Sequence, residues 1–394
     1  MDTERKLEML VAGAAFDVCG YCGDAPPAQS PLRFIHNAAL PGGGAVPLFK
    51  VLQTNVCVND CAYCVNQVGR DGPRSAFQPE ELSRVFMELH RRKLVQGLFL
   101  TSAIAGNAAR SMEPMLQTVE ILRRRCEYRG YVHLKILPGA GPDYVETACR
   151  LASRVSVNIE APTARHLARL SSRKNIFEGI LEPMRWVRQI TARDERLAPA
   201  GQTTQFVVGA AGESDREILA TTAALYREVK LRRAYFSAFH PVSHSRLEGV
   251  GPAPPLREHR LYQADWLMRV YGFADSEVAL AFGQNGNLAL KTDPKLIIAR
   301  KQPWLFPVDI NTAGYEELLH VPGIGPQSAH RIIAARREHS IDSLTQLKKM
   351  RVVTRHAAPF IWFQGMLAAE KQASFLPLLE EESEETPSLA SVVA

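Results

Sequence analysis

Between about residues 47 and 240, short apolar runs alternate with longer segments that carry apolar residues at helical spacing. Short apolar runs are typical of strands that are covered on both faces. The candidate strands are Phe49–Val56, Gly97–Ser102, Tyr131–Leu137, Val155–Ile159, Thr203–Val208 and Arg233–Phe239. Strands that alternate with helices predict a parallel sheet. We interpret it as a partial or full (β/α) barrel, in which ligands bind at the carboxyl ends of the strands.

Amphipathic segments fill the intervals between these strands. One helix is predicted to begin near Pro79, because proline suits the first helical position and an apolar stripe follows. Further helices are predicted at about 112–127, 142–153, 175–192 and 214–230. The sequence therefore places a helix after most of the strands.

The pattern changes on both sides of the barrel, which we expect to span residues 47–245. Residues 1–46 combine a helix over 3–15 with a loop rich in glycine and proline. Residues 246–303 predict a helical connector, and residues 304–368 predict a small all-α domain of two helix–turn–helix units. Residues 369–394 form an acidic tail that we expect to be disordered.

The composition is that of an ordinary globular protein, with 46% hydrophobic and 22% charged residues. The net charge of +6 is compatible with a nucleic-acid partner and equally with a solvated basic surface. No apolar run approaches the roughly 18 residues that a membrane span needs, and the N-terminus does not resemble a signal peptide. The seven cysteines are odd in number and three are clustered, which favours metal binding over disulfides and predicts a cytoplasmic protein.

The clustered cysteines are Cys57, Cys61 and Cys64, at C-x3-C-x2-C spacing directly after the first candidate strand. Iron–sulfur clusters usually have four cysteine ligands, and no fourth follows before Cys126. Three ligands would leave one iron open, as in a reactive metal site. A zinc site would need four ligands, which three cysteines with no nearby histidine or fourth cysteine match poorly. In a separate alternative, Cys22 is the fourth ligand of the iron–sulfur cluster, which would close the cluster and make the site structural. Alternatively, Cys19 and Cys22 form a second labile metal site or are plain loop cysteines.

The cysteine motif, with Tyr63 before its last cysteine, resembles the cluster-binding motif of the radical S-adenosylmethionine (radical SAM) enzymes. The resemblance implies that Cys57, Cys61 and Cys64 hold a [4Fe–4S] cluster whose fourth iron is chelated by S-adenosylmethionine. The reduced cluster would cleave the cofactor to a 5′-deoxyadenosyl radical, which abstracts hydrogen from the substrate. Tyr63 would lie near the adenine, and an electron donor such as flavodoxin or ferredoxin would be required.

The resemblance also implies cofactor contacts outside the cysteine motif. Thr101 and Ser102, after the second strand, stand where the family usually has Gly-Gly-Glu and would bind the methionine amino group. Asn158 and Glu160, after the fourth strand, would bind the ribose and carboxylate. Gly209 begins a Gly-x-x-Gly-Glu turn expected beside the adenine. The sequence identifies no general acid, base or radical relay; weaker candidates for binding or catalysis are Arg173, Lys174, Tyr235, His240, His244 and Tyr262.

The segment Val321–Gly325, between two predicted helices, resembles the hairpin of a helix-hairpin-helix motif. Glycines allow a tight turn and bring backbone N–H groups to the start of the next helix, where an anion is favoured. Gly323, Ile324, Gly325 and Arg331 are therefore the predicted contacts to duplex DNA phosphates, which position a protein without reading sequence. The alternative is a helical packing or protein-interaction module.

The complete arrangement resembles one family of radical SAM proteins with a C-terminal helix-hairpin-helix domain, linked to DNA modification or repair. It implies an enzyme that modifies or repairs DNA. Two alternatives remain open. One is the same chemistry on RNA, protein or a small molecule, with the C-terminal domain as a docking module. The other is a non-catalytic DNA-binding protein with a structural cluster.

Overall fold

A computed structural model describes residues 2–14, 35–39, 45–363 and 366–367. The chain divides into two compact units. The first comprises Met1–Tyr262 with Asn285–Asn287, and the second comprises Gln263–Gln284 with Leu288–Ala394. In the part of the chain that the structure describes, no helix is both long and apolar enough to cross a membrane. The acidic tail, Cys19 and Cys22 lie outside the described residues.

The first unit is built on a seven-stranded sheet whose strands are paired in chain order. The strands are β1 Ile35–Ala39, β2 Ala45–Leu52, β3 Gly97–Thr101, β4 Tyr131–Lys135, β5 Arg154–Ser156, β6 Gln202–Val208 and β7 Arg233–Ala238. Strands β2 to β7 are parallel, and β1 is antiparallel to β2. The order ends at β1 and β7, so the sheet is an open, partial (β/α) barrel. This confirms the predicted fold class in its partial form.

Every predicted strand is present, but one strand was missed and one was placed late. β1 lies inside the segment that the sequence predicts to be a loop up to residue 46. Its polar residues His36 and Asn37 interrupt the apolar run, and as an edge strand it pairs on one side only. β2 ends at Leu52, four residues before the predicted end, and beyond it Thr54 forms an isolated β-bridge with Ala76.

Apart from α1, the helices of the first unit come after a strand in the chain. They are α1 Thr3–Ala14, α2 Pro79–Arg91, α3 Ala108–Arg124, α4 Pro142–Leu151, α5 Ala164–Leu170, a π-helical turn Phe177–Leu181, α6 Glu182–Arg193 and α7 Asp215–Glu228. Helix α8, Pro255–Arg269, contains the division between the units. The sequence did not predict α5, which has only seven residues. The core lies between sheet and helices, where Phe49, Phe86, Phe206 and Phe236 are fully buried.

The second unit contains α9 Asp275–Val278, α10 Pro294–Lys301, α11 Tyr315–His320, α12 Pro326–Ala335, α13 Leu344–Lys349 and α14 Thr354–Ala357, with 3-10 turns Ala279–Ala281, Pro303–Leu305 and Ala358–Phe360. It also contains the short strands β8 Val308–Asp309, β9 Ile361–Phe363 and β10 Met366–Leu367, in the order β10-β9-β8. The predicted final helix, 357–366, is therefore wrong in its second half. The helical turn ends at Phe360, and β9 then pairs with β8.

Candidate active site and glycine hairpin

The three motif cysteines lie on the loop that follows β2, at the carboxyl edge of the parallel sheet. Cys61 is buried, whereas Cys57 and Cys64 are partly exposed. The backbone N–H of Asn59 donates to Cys57 Sγ, and that of Asn66 donates to Cys64 Sγ, both at 3.4 Å. Such N–H···S contacts favour thiolates and tune iron–sulfur clusters. The loop thus supplies the sulfur atoms and also the backbone N–H donors that stabilise their negative charge.

Arg74 holds this loop in shape from inside. Its guanidinium donates to four backbone carbonyl oxygens, those of Asn55 (2.7 Å), Asn66 (3.1 Å), Gln67 (3.0 Å) and Arg70 (3.1 Å). A planar guanidinium presents its donors in a fixed fork, so it fixes several carbonyl groups relative to one another. The path of the backbone around the cysteines is therefore set by protein contacts.

Asp60, between the first two cysteines, ties the loop to two distant segments. Its carboxylate accepts from Ser171 Oγ (2.6 Å), from the N–H and Oγ of Ser172 (3.1 and 2.7 Å) and from Arg246 (3.3 Å). Burial alone would raise the pKa of Asp60, but these hydrogen bonds and the Arg246 charge outweigh burial and lower the pKa to about 2. Asp60 is thus a charged anchor that joins the cysteine loop to the loops after α5 and β7.

Lys174 connects the aromatic residue of the motif to the end of the sheet. Its Nζ donates to Tyr63 Oη (2.8 Å) and to Glu160 Oε1 (2.9 Å), and the Lys174 and Glu160 side chains are 8% and 4% exposed. Burial opposes the charge on Lys174, yet Cys61 and Glu160 raise its pKa above the ordinary lysine value. The second carboxylate oxygen, Glu160 Oε2, is buried and has no hydrogen-bond partner among the described residues. Because an unpaired buried carboxylate oxygen is costly, it marks a place for a ligand donor.

One cavity gathers these groups at the carboxyl ends of the strands. It is lined by the three cysteines and by Tyr63, Thr101, Ser102, Lys135, Asn158, Glu160, Lys174, Gln205, Ser237 and His240, among others. It holds about 1110 Å³ of space free of protein atoms, its open mouth included. Of the residues predicted to bind the cofactor, only Gly209 is not in this lining.

Gly209 instead begins a turn that is braced from within. It has a φ of +91°, and its N–H and that of Ala211 donate to the Glu213 carboxylate. Arg257 supports the same turn by donating to the Glu213 carbonyl oxygen and to Asp215, both at 2.7 Å. A Cβ at Gly209 would lie only 2.7 Å from Ala253 Cβ, so the position requires glycine for space as well as conformation. Its predicted contact with the adenine stays a prediction.

Among the lining residues that the sequence analysis missed are three polar ones on the strands: Lys135, Gln205 and Ser237. Each lies on a parallel strand, β4, β6 or β7, near the edge that carries the cysteines. The signal that could have found them is a polar residue within or at the end of an otherwise apolar strand. The position of Lys174 was known from sequence only as a loop residue.

In the second unit, α11 and α12 flank the predicted hairpin. Gly323 has a φ of +82°, and a Cβ there would lie 2.5 Å from the Val353 carbonyl oxygen, so only glycine fits. Within the described chain, the backbone N–H groups of Gly323 and Gly325 have no hydrogen-bond acceptor. Gly325 caps α12, a ten-residue helix, and Arg331 is exposed on it. Unpaired N–H groups at a helix N-terminus suit an anion.

Other parts of the hairpin are engaged within the unit. The Ile324 side chain is 1% exposed and its backbone N–H donates to the Val321 carbonyl oxygen (3.2 Å), so Ile324 has no unpaired donor for the predicted phosphate contact. Its carbonyl oxygen accepts from Lys295 Nζ (2.6 Å), and the Gly323 carbonyl oxygen accepts from the Val353 N–H (2.9 Å). The hairpin is thus fixed through its carbonyl groups, which leaves the two glycine N–H groups unpaired.

Comparison with known families identifies both regions. The radical SAM superfamily matches residues 51–225, a range that begins in β2 and includes all three cysteines and Glu160. The helix-hairpin-helix motif matches residues 307–358. The chain contains a radical SAM domain and a helix-hairpin-helix motif. The superfamily is one of enzymes that use a [4Fe–4S] cluster and S-adenosylmethionine.

Solved structures that resemble part of this chain are distant from it in sequence. The [FeFe]-hydrogenase maturase HydG from Carboxydothermus hydrogenoformans is 11% identical with a TM-score of 0.44, over 56% of this chain and 51% of that one. SuiB from Streptococcus suis, bound to S-adenosylmethionine, is 10% identical with a TM-score of 0.43, over 60% and 55%. The chain thus spans about half the length of these proteins. A comparison with curated proteins found no match.

The radical SAM domain fits the superfamily's cofactors in its donor set. Burial raises the pKa of the Cys64 thiol to about 12, so binding of iron must displace that proton. Among the described residues, no three His, Cys, Asp or Glu side chains are arranged around a single metal ion. A [4Fe–4S] cluster does not need such convergence, because its cysteines bind different irons. The unpaired Glu160 Oε2 in the same cavity fits a ligand that carries N–H or O–H donors.

Proposed function

We propose that this radical SAM enzyme acts on DNA, which the helix-hairpin-helix motif binds through backbone phosphates. Two unpaired N–H groups, of Gly323 and Gly325 at the start of α12, carry the DNA part of the proposal. They are the donors that a phosphate oxygen would accept from, and the exposed Arg331 adds a cation on the same helix.

In the radical SAM domain, Cys57, Cys61 and Cys64 would hold the cluster. Bound cluster and cofactor supply the 5′-deoxyadenosyl radical that abstracts hydrogen from the substrate. Glu160 Oε2 would accept from an amino or hydroxyl group of S-adenosylmethionine, since that oxygen is buried and unpaired. The residues of the chain therefore bind and orient the cofactor, and the buried cavity floor keeps water from it.

Lys174 and Asp60 would act as positioning residues in this arrangement. Lys174 fixes the Tyr63 ring and neutralises Glu160 through its two hydrogen bonds. Asp60 holds the cysteine loop against Ser171 and Ser172. Both side chains connect the cysteine loop to the loop after α5. A substitution that shifts one of these loops should therefore shift the other.

The enzymatic part of the proposal is tested by anaerobic purification, reduction and addition of S-adenosylmethionine, with 5′-deoxyadenosine as the product measured. Cys61→Ala should lose the cluster and the product. Cys126→Ala is the matched control, because Cys126 is a partly exposed cysteine outside the motif. Absence of 5′-deoxyadenosine from protein with an intact cluster would refute radical generation, and full iron content in Cys61→Ala would refute the ligand assignment.

The DNA part is tested by duplex binding at several salt concentrations. Phosphate contacts make the affinity fall with salt, and Arg331→Gln should weaken binding and reduce the salt slope by about one phosphate contact. Arg124→Gln removes the same charge from α3 of the first unit, where the side chain is 76% exposed, and should change neither. An unchanged slope in Arg331→Gln would contradict phosphate binding by α12.

One observation favours a second candidate, in which the C-terminal unit is a packing or docking module for RNA, protein or small-molecule chemistry. The hairpin already packs within its own unit, through Gly323 against Val353. A chain that makes 5′-deoxyadenosine but shows no salt-dependent duplex binding would support this candidate.

A further inference from the structure

A second cavity adjoins the one that contains the cysteines. Its lining comes mainly from the segment between α5 and the π-helical turn: Ser172, Arg173, Lys174, Asn175, Ile176 and Phe177. Lys174 lines both cavities. The two spaces therefore share one side chain, and a ligand in the second would lie beside a ligand in the first.

Phe177 presents its ring to solvent at this place. The side chain is 61% exposed, while its neighbour Ile176 is 5% exposed and Ile180 is fully buried. Its backbone is fixed, because Asn175 Oδ1 accepts from the Phe177 N–H (2.8 Å) and from the Glu178 N–H (3.3 Å). A single exposed ring is common on protein surfaces, so the meaning of this one depends on what surrounds it.

The second cavity also contains a cation that is not engaged. Nearby cations have partners: Lys174 donates to Glu160, Arg246 to Asp60, and Arg169 to the carbonyl oxygen of Ala211 (2.7 Å). The guanidinium of Arg173 is exposed and has no hydrogen-bond or ion-pair partner in the described parts of the chain.

An exposed ring beside an unengaged guanidinium matches the chemistry of a nucleotide. A base stacks on an aromatic face regardless of its identity, and a guanidinium binds a phosphate oxygen pair. Glu178, whose carboxylate accepts from Asn175 Nδ2 (3.4 Å), places negative charge at the other end of the segment. A phosphate is therefore expected on the Arg173 side of the ring.

We infer that Phe177 and Arg173 bind an unpaired DNA nucleotide next to the nucleotide that enters the cysteine cavity. This inference rests on the proposed function and adds a substrate-binding site to it. A base inside a duplex cannot reach an enclosed site, so an enzyme that reacts with one must take it out of the stack. Stacking on Phe177 would offset part of the cost of that separation.

The test uses the full chain and a short single-stranded oligothymidine. Phe177→Ala should weaken binding by about 5- to 150-fold, the range for loss of one base–aromatic stack, whereas Phe177→Tyr should retain affinity. Arg173→Gln should weaken binding and reduce the salt slope by about 0.7, one phosphate contact on a single strand. The matched controls are Leu94→Ala and Arg91→Gln. Leu94 and Arg91 are exposed and precede β3, so they lie at the amino ends of the parallel strands, away from the cysteine loop.

A second measurement needs no variant. An oligothymidine that carries one 5-iodouracil should cross-link under light to the peptide that contains Phe177. Unchanged affinity in both Phe177→Ala and Arg173→Gln, or cross-links only to other peptides, would overturn the inference. Loss of duplex binding in Arg331→Gln with this cross-link retained would separate the two sites. A missing cross-link with duplex binding intact would refute the nucleotide site and leave the proposed function standing.

Discussion

Lys295 should make the stability of the second unit depend on pH. Its side chain is 7% exposed, and its Nζ donates to the Ile324 carbonyl oxygen (2.6 Å) and lies 4.7 Å from the centroid of the Tyr271 ring. Burial lowers its pKa to about 7, against a partial opposing effect of Asp293. The hairpin is therefore held by a cation that is costly to keep charged.

The sign and size follow from the two pKa values. The unfolded chain keeps the ordinary lysine pKa of 10.5, so between about pH 7 and 10.5 it binds more protons than the folded unit. The free energy of unfolding therefore rises with pH in that window, by at most about 5 kcal/mol, and the full penalty is present below about pH 7. Lys295→Met removes the penalty but leaves the Ile324 carbonyl oxygen unpaired, at about 1–3 kcal/mol. We expect a net gain of at most about 2–4 kcal/mol near pH 6, which falls as the pH rises and becomes a loss of about 1–3 kcal/mol once the penalty is gone.

Hydrogen–deuterium exchange of peptides from 315–335, followed by mass spectrometry at several denaturant concentrations, gives the local free energy of unfolding in the full chain. It is measured at about pH 6 and about pH 9, on either side of the folded pKa. Lys348→Met is the control, because Lys348 is an exposed lysine in the same unit. A pH dependence in Lys295→Met equal to that of the unchanged chain would refute the reasoning.

Three further changes test the site and the hairpin. Asp60→Ala should weaken iron retention under chelator challenge by about 10- to 100-fold, because the cysteine loop loses its anchor; iron content equal to the unchanged chain would contradict this. Glu160→Gln should weaken S-adenosylmethionine binding in calorimetry by about tenfold, as expected when a charge-assisted hydrogen bond becomes neutral, and an unchanged Kd would remove Glu160 from the cofactor site. Gly323→Ala should destabilise the second unit by about 2–4 kcal/mol, from backbone strain and the clash with Val353; exchange protection equal to the unchanged chain would argue against that clash.

The sequence predicted those parts of the fold that depend on local pattern. β3 is a continuous apolar run between polar segments, so its place was clear, and it is buried along its whole length. β1 was missed because it is an edge strand whose pattern includes His36 and Asn37. The helix predicted over 175–192 begins with a π-helical turn that periodicity cannot distinguish from an α-helix.

In the candidate site, too, the sequence predicted the local features and missed the contacts between distant segments. Cys57, Cys61 and Cys64 were identified from their spacing, which is a local property of the sequence. The hydrogen bond between Lys174 and Tyr63 joins residues 111 positions apart. The sequence names Lys174 only as a weak candidate, because no local pattern indicates that Tyr63 and Glu160 are its partners. Only the order and parallel pairing of the strands bring the two loops together.

The contacts of Arg74 have a consequence for how the protein responds to oxygen. In small zinc modules the metal supplies the folding energy, so removal of the metal unfolds the chain. Here a guanidinium on four carbonyl groups holds the cysteine loop. If oxygen destroys a bound cluster, the cysteine loop should therefore stay folded and the chain should not denature. Iron and sulfide could then rebuild the cluster in place, without another round of synthesis.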